Sequence, residues 1–119
     1  MVGYVEFGYS AAMRITVATA RLLAVLLTEP EADRYGLDLM GATGLASGSL
    51  YPILHRLQDA GWLTARWEDI DPSELGRPAR RFYRLTPDGV SQARSALARL
   101  RAQTAVPGIV GLATRSLAW

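Results

Sequence analysis

Ser47-Gly-Ser-Leu-Tyr-Pro-Ile-Leu-His-Arg-Leu57 is the stretch of this 119-residue chain on which the fold turns. At about 100° per residue, Leu50, Ile53, Leu54, Leu57 and Ala60 share one arc of a helix, which must face a core. The opposite arc carries Gly48, Tyr51, Pro52, His55 and Asp59, with Ser47 and Arg56 at its margins. Pro52 constrains where such a helix begins, because a proline beyond the first turn costs ~3 kcal/mol. The helix, predicted over 45–60, therefore starts near Ser47 to Ser49. Those serines fit two readings: they cap the helix, or their hydroxyls and the helix N-terminus meet phosphate and base edges. Tyr51 likewise fits either core packing or the outer face. His55 is the single histidine, too few for a metal site, and reads as an exposed polar residue or a phosphate contact.

Upstream, Val17, Ala20, Leu23, Ala24 and Leu27 recur at helical spacing between a capping Thr16 and a terminating Pro30, predicting a largely buried first helix. A short second helix is expected over Leu37–Met40, ending at Gly41-Ala-Thr-Gly44, where glycine can take a positive φ. Two short helices joined by a glycine-containing turn have helix-turn-helix spacing. Downstream, Trp62 to Glu68 and Arg80 to Leu85 are rich in strand formers and predict a β-hairpin with a long polar tip. Thr86-Pro87 then opens a last helix to about Thr104, and Pro107-Gly108 breaks it. The expected fold class is mainly α with a small β-hairpin (α+β), a winged helix-turn-helix followed by a C-terminal helix. The expected organisation is an N-terminal arm over 1–12, a winged domain over 13–86, and a helix with an apolar tail over 87–119.

Composition bounds the function. Net charge is only +2, yet residues 1–60 hold 4 arginines against 6 acids, whereas residues 61–119 hold 9 against 5. Lysine is absent, and arginine's planar fork suits phosphate and guanine edges, so a polyanionic partner is expected. Gly76-Arg-Pro-Ala-Arg-Arg81 puts three cations, Arg77, Arg80 and Arg81, at a hairpin tip, suited to tracking a backbone or entering a minor groove, or simply an ordinary charged turn. With no cysteine, disulfides, thiolate metal sites and cysteine nucleophiles are excluded. One histidine, no glycine-rich phosphate loop and no paired carboxylates argue against an enzyme, and no cofactor is expected. No apolar run reaches the roughly 18 residues of a bilayer span, and no secretory signal opens the chain, so a soluble cytoplasmic protein is expected.

Tyr35-Gly36, Thr43-Gly-Leu45, Gly48-Ser-Leu-Tyr-Pro52, Leu54-His-Arg-Leu57, Ala60-Gly-Trp-Leu63, Gly76-Arg-Pro78, Arg81-Phe-Tyr-Arg-Leu-Thr86 and Gly89 together resemble the PadR family of transcriptional regulators. The resemblance covers about residues 13–101. It implies a winged helix-turn-helix that dimerises through its C-terminal helix and binds a palindromic operator, usually as a repressor. Carried over by position, Ser47, Gly48, Ser49, Tyr51, Pro52, His55 and Arg56 would lie on DNA, with Arg77, Arg80 and Arg81 from the wing. Two features depart from the pattern. The family's second, larger C-terminal domain is missing, as in its short subclass, and the motif does not account for the apolar tail from Pro107 to Trp119.

Val90, Ala93, Leu97, Leu100 and Thr104 step by 3, 4, 3 and 4, a two-heptad seam that needs either a partner helix or its own domain to cover it. A symmetric dimer would set two recognition helices about 34 Å apart, one turn of DNA. Short relatives in the family can hold planar apolar ligands at the dimer interface. Trp62, Trp67 and Trp119 are the candidates for such stacking, or else, for the first two, hairpin core and anchor residues. The competing function is a winged domain kept as a protein-interaction module without DNA binding. Replacing Arg77, Arg80 and Arg81 separates the two.

Overall fold

The computed structural model describes residues 13–104. In chain order it has α1 (Val17–Thr28), β1 (Arg34–Tyr35), α2 (Gly36–Thr43), α3 (Ser47–Asp59), β2 (Leu63–Trp67), α4 (Pro72–Leu75), β3 (Arg81–Leu85) and α5 (Pro87–Thr104). The expected arm over 1–12, the Pro107-Gly108 break and Trp119 lie outside the described residues. Three strands form one antiparallel sheet in the order β1-β3-β2. The architecture is a winged helix-turn-helix, as the spacing predicts, with two additions.

Both additions escaped the hydrophobic pattern for the same reason, which is length. β1 is two residues long and pairs Arg34 with Tyr83 and Tyr35 with Phe82, too short to show alternation. α4 is a single turn inside the expected hairpin tip, capped by Asp71, whose carboxylate accepts the Ser73 N–H at 3.0 Å, and closed by Gly76 at φ 69°.

α1 is capped by Thr16 as expected, its hydroxyl accepting the Thr19 N–H at 3.1 Å. Its buried face is rotated from the expected one. Thr19, Leu22, Leu23 and Leu26 go inward, whereas Val17 is 74% exposed and Ala24 is exposed. In a helix apolar on most sides the stripe is ambiguous, and packing against α2, α3 and α5 selects it. α2 is longer than expected. Gly41 is helical, and Gly44 alone takes the left-handed conformation, at φ 76°, returning its N–H to the Met40 carbonyl at 2.8 Å. Thr43 closes the turn: its hydroxyl donates to the Leu39 carbonyl at 2.6 Å and accepts the Leu45 N–H at 3.1 Å. Arg21 of α1 donates to the Thr43 carbonyl at 3.3 Å, tying the first helix to the turn.

α3 buries Leu50, Ile53, Leu54 and Leu57, the arc read from the sequence, against Leu22, Leu23, Leu26 and Leu39. From Leu57 the chain passes through Gly61 (φ 80°) into β2. Trp62 at this corner belongs to the core, 7% exposed. Thr86 then docks α5 on the corner: its N–H donates to the Trp62 carbonyl at 2.9 Å, and its hydroxyl donates to the Gly61 carbonyl at 2.8 Å while capping α5 through the Gly89 N–H at 2.8 Å. α5 lies on α1 and buries Gly89, Ala93 and Ala96. No helix among the described residues is long and apolar enough to cross a membrane.

Candidate nucleic-acid interface

The outer face of α3 is exposed at every position singled out from the sequence: Ser47, Gly48, Ser49, Tyr51, Pro52, His55 and Arg56. The N-cap is Ala46, which offers no side-chain cap, so the serines do not cap and their hydroxyls stay on the outer face. The helix starts at Ser47, within the expected window, which leaves Pro52 at the sixth position and past the first turn. Its ring deprives the Gly48 carbonyl of a helical donor. Both residues are exposed, so water can satisfy that carbonyl, and a glycine at i−4 eases the ring's approach.

The wing stands beside this face. β2 and β3 pair from Leu63 with Leu85 to Trp67 with Arg81. Residues 63, 65 and 67 of β2 and 81, 83 and 85 of β3 share the side that faces α3. Leu63, Tyr83 and Leu85 are core residues, but the strands run on past the helix, and Trp67 emerges 63% exposed. The hairpin overhang and α3 thus enclose an open cleft of about 440 Å³. Tyr51 and His55, one turn apart, line its helix side, and Trp67, Arg81 and Tyr83 line its wing side. Tyr35, Gly36 and Leu37 enter from the start of α2, with Ala79 and Arg80 at the rim. Gly36 is required here: a Cβ at this position would collide with the Tyr51 hydroxyl. Burial pushes the Tyr83 phenol above its ordinary pKa, with the Tyr51 phenol adding to the shift and Arg81 opposing it, so the hydroxyl remains protonated at neutral pH.

The wing's arginines are not equivalent. Arg77 forms a two-pronged ion pair with Glu68, at 2.7 Å and 3.1 Å, and Glu68 also accepts the Arg80 N–H at 3.2 Å. This clamp ties α4's exit to the end of β2, and Arg77 holds the Glu68 carboxyl down to a pKa of about 2. Arg80 instead lays its guanidinium over the Tyr35 ring, 4.4 Å from the centroid, and Arg81 lies over Trp67 at 5.1 Å. Among the described residues neither makes an ion pair, and apart from the Arg81 interaction with the Tyr83 phenol their N–H groups stay available to an anion. The opposite side of the sheet is partly neutralised: Asp33 bridges Arg66 at 2.7 Å and Arg84 at 3.1 Å, and its pKa is drawn down by Arg66 first and then by Arg84, against the opposing effect of burial. That network was not singled out in the sequence because its partners are distant along the chain and meet only beside β1; the Arg34–Asp38 pair, at 2.6 Å, is local and was missed because β1 and the start of α2 were not expected there.

Of the other sequence candidates, Trp62 is in the core and Trp67 is in the cleft. Along the C-terminal seam Ala93 is already covered by its own domain, Val90, Leu97 and Leu100 are half-buried, and Thr104 is exposed. Among the described residues no group of three or more His, Cys, Asp or Glu side chains could hold a metal ion.

Comparison with known proteins accords with this geometry. No curated protein matches the sequence significantly. Solved structures that share the fold include three winged-helix proteins of known origin. A PadR-like transcription factor from Bacteroides fragilis is 22% identical, with 85% of this chain and 92% of that one covered at a TM-score of 0.52. MarR from E. coli, in its apo form, is 17% identical, with 92% and 81% covered at a TM-score of 0.58. The circadian clock associated protein Pex from Anabaena is 29% identical, with 73% and 76% covered at a TM-score of 0.54. The sequence profile of the transcriptional regulator PadR-like family matches residues 22–95, more than half of the chain and all of the helix-turn-helix and wing. The chain belongs to the PadR-like family of transcriptional regulators.

Proposed function

We propose that this regulator binds a palindromic DNA operator sequence-specifically as a homodimer, acts as a repressor, and is relieved by a small, largely apolar ligand. The observation that carries the reading is the pairing of the exposed outer face of α3, from Ser47 to Arg56, with two wing arginines, Arg80 and Arg81, held on rings and matched by no carboxylate among the described residues. Small residues at the start of α3 let the backbone approach a groove closely, and Tyr51, His55 and Arg56 follow one turn further along. Arg77 enters this reading as the residue that holds the wing in shape through Glu68 rather than as a direct phosphate contact. The dimer uses the half-buried Val90, Leu97 and Leu100 together with Thr104, while Ala93 is covered within its own domain.

The test is fluorescence anisotropy of the purified protein with duplex DNA from upstream of its own gene, against a scrambled duplex, over a salt series. Selective binding with two protomers per site and a steep salt slope is the expected result. Absence of binding to either duplex at low salt overturns the reading.

A further inference from the structure

The distal part of the wing finds support on the face turned away from α3. On the α3 side, Leu63 and Leu85 are core residues, but toward Trp67 and Arg81 the strands border the open cleft rather than packed side chains. On the other face, register places Arg66 of β2, Phe82 of β3 and Tyr35 of β1 in one row, with the Tyr35 and Phe82 rings edge to face at 5.8 Å. Arg66 runs over the Phe82 ring, 5.0 Å from its centroid, and donates at 2.7 Å to the carboxylate of Asp33 beyond β3. The second oxygen of that carboxylate accepts the Arg84 Nε–H of β3 at 3.1 Å. One side chain therefore holds both strands of the hairpin. β2 and β1 are not neighbours in the sheet, so the Arg66 arm ties β2 across the central strand to the segment that opens α2. Asp33 is a firm anchor, because Arg34 and Tyr35 beside it pair with β3 and Gly36 begins α2.

We propose that Asp33 is a positioning residue for DNA recognition: its carboxylate sets the angle of the wing to α3, so that Arg80 and Arg81 reach phosphates while the outer face of α3 lies in the groove. This rests on the DNA-binding reading above. Arg81 stands about 10 Å beyond Arg84 at roughly 3.4 Å per residue, so a small rotation at the brace becomes a larger displacement of the two guanidinium groups. The consequence runs against simple electrostatics. An acid near a DNA-binding surface repels phosphate, and removing one from a chain of net charge +2 strengthens binding to any duplex through charge alone. Loss of the Asp33 carboxylate instead weakens binding to the specific duplex while strengthening binding to an unrelated one, because only the specific complex needs the wing and α3 in register with each other.

The test compares the parent with Asp33→Asn, which keeps the side chain's shape but leaves one acceptor for two arginines. Anisotropy is read on the duplex from upstream of the gene and on its scrambled counterpart over a salt series. Asp33→Asn is expected to bind the upstream duplex about threefold more weakly and the scrambled one about twofold more tightly, so that selectivity falls about sixfold. The salt slope on the upstream duplex is expected to drop by about 1–2, the share of two arginine–phosphate contacts at about 0.9 each. A loss of folded protein would weaken both duplexes alike and leave both slopes in place; melting temperature is expected to stay within a few degrees, since both arginines are about half exposed. Glu31→Gln is the charge control: this exposed acid, two residues away and in no ion pair among the described residues, is expected to leave selectivity unchanged. In an Arg80→Ala/Arg81→Ala background, Asp33→Asn is expected to cause no further loss on the upstream duplex. Unchanged selectivity and slope in Asp33→Asn overturn the proposal. An equal fall in Glu31→Gln overturns it too, as does a full further loss in the doubly substituted background, since the carboxylate would then not act through these arginines. A parent that binds neither duplex at low salt refutes the DNA-binding reading and the proposal with it, whereas a selective parent with an unaffected Asp33→Asn refutes the positioning role alone.

Discussion

Replacing Gly89 by alanine tests the joint on which the helix-turn-helix, the wing and α5 all depend. A Cβ on Gly89 would stand 2.7 Å from the Trp62 carbonyl carbon and 2.9 Å from its Cα, and closer still to its oxygen. These are backbone atoms at the corner between α3 and β2, so no side chain can swing aside, and α5 must lift. Overpacking of this kind costs ~1–3 kcal/mol. Lifting α5 also stretches the Thr86 bonds to the Gly61 and Trp62 carbonyls, each about 1 kcal/mol. Alanine's better helix propensity returns ~0.5–1 kcal/mol, leaving a net loss of about 2–4 kcal/mol. For a domain of this size that corresponds to a fall in Tm of roughly 10–20 °C. Gly41→Ala is the control: it lies within α2 with nothing within 4 Å of a built Cβ, so the same substitution should raise Tm by a few degrees. Differential scanning calorimetry reads both. A Gly89→Ala variant melting within about 3 °C of the parent would refute the claim that this backbone contact is tight.

Gly36→Ala should behave differently from Gly89→Ala, since the atom in the way is the far end of the Tyr51 side chain; a small change in Tm, with a moved Tyr51 ring resonance and weaker DNA binding, is expected by NMR and anisotropy. Glu68 has a folded pKa of about 2 against an ordinary 4.5, so its clamp on Arg77 stabilises the fold fully above about pH 4.5 and is lost as pH falls through about 2. A carboxyl ¹³C titration of Glu68 should find that low midpoint in the parent and one moved up toward the ordinary value in Arg77→Ala, where the Arg80 N–H still holds it down in part. For DNA, Arg80→Ala and Arg81→Ala should each lower the salt slope of binding by about 0.9, whereas Arg77→Ala should weaken binding with a smaller change of slope. Equal slopes for all three variants would count against the distinction drawn between them.

How much of this was legible in the sequence follows the range of the interactions concerned. The buried arc of α3 was readable because Leu50, Ile53, Leu54 and Leu57 stand against polar neighbours, so one period fits and others do not. α1 lacks that contrast. With alanine, valine and leucine on most sides, Val17 and Leu22 look alike locally, and only the positions of α2, α3 and α5 decide that Leu22 is buried and Val17 is not. β1 and α4 fall below the length at which a period exists. The outer residues of α3 could be named, but the cleft they share with the wing could not, because it depends on how far β2 and β3 overrun the helix. The one local sign of it was Tyr35-Gly36, whose glycine makes room for Tyr51.

The arginine count of the second half overstates the charge the wing presents, and the structure sorts the residues by what holds them. Arg66 and Arg84 share Asp33, which offsets one of their two charges, and Arg77 is matched by Glu68, so these three together present one net positive charge rather than three. Arg80 and Arg81 lie instead over the faces of Tyr35 and Trp67, which orient a guanidinium without neutralising it. An arginine oriented by a ring keeps its full charge and loses less side-chain freedom on meeting an anion, because part of that ordering is already in place. A carboxylate partner placed near Tyr35 or Trp67, for instance Ala79→Glu at the cleft rim, would remove that advantage without removing either arginine. Such a variant should lose DNA affinity while melting close to the parent, and unchanged DNA affinity would show that the two arginines do not act on the nucleic acid.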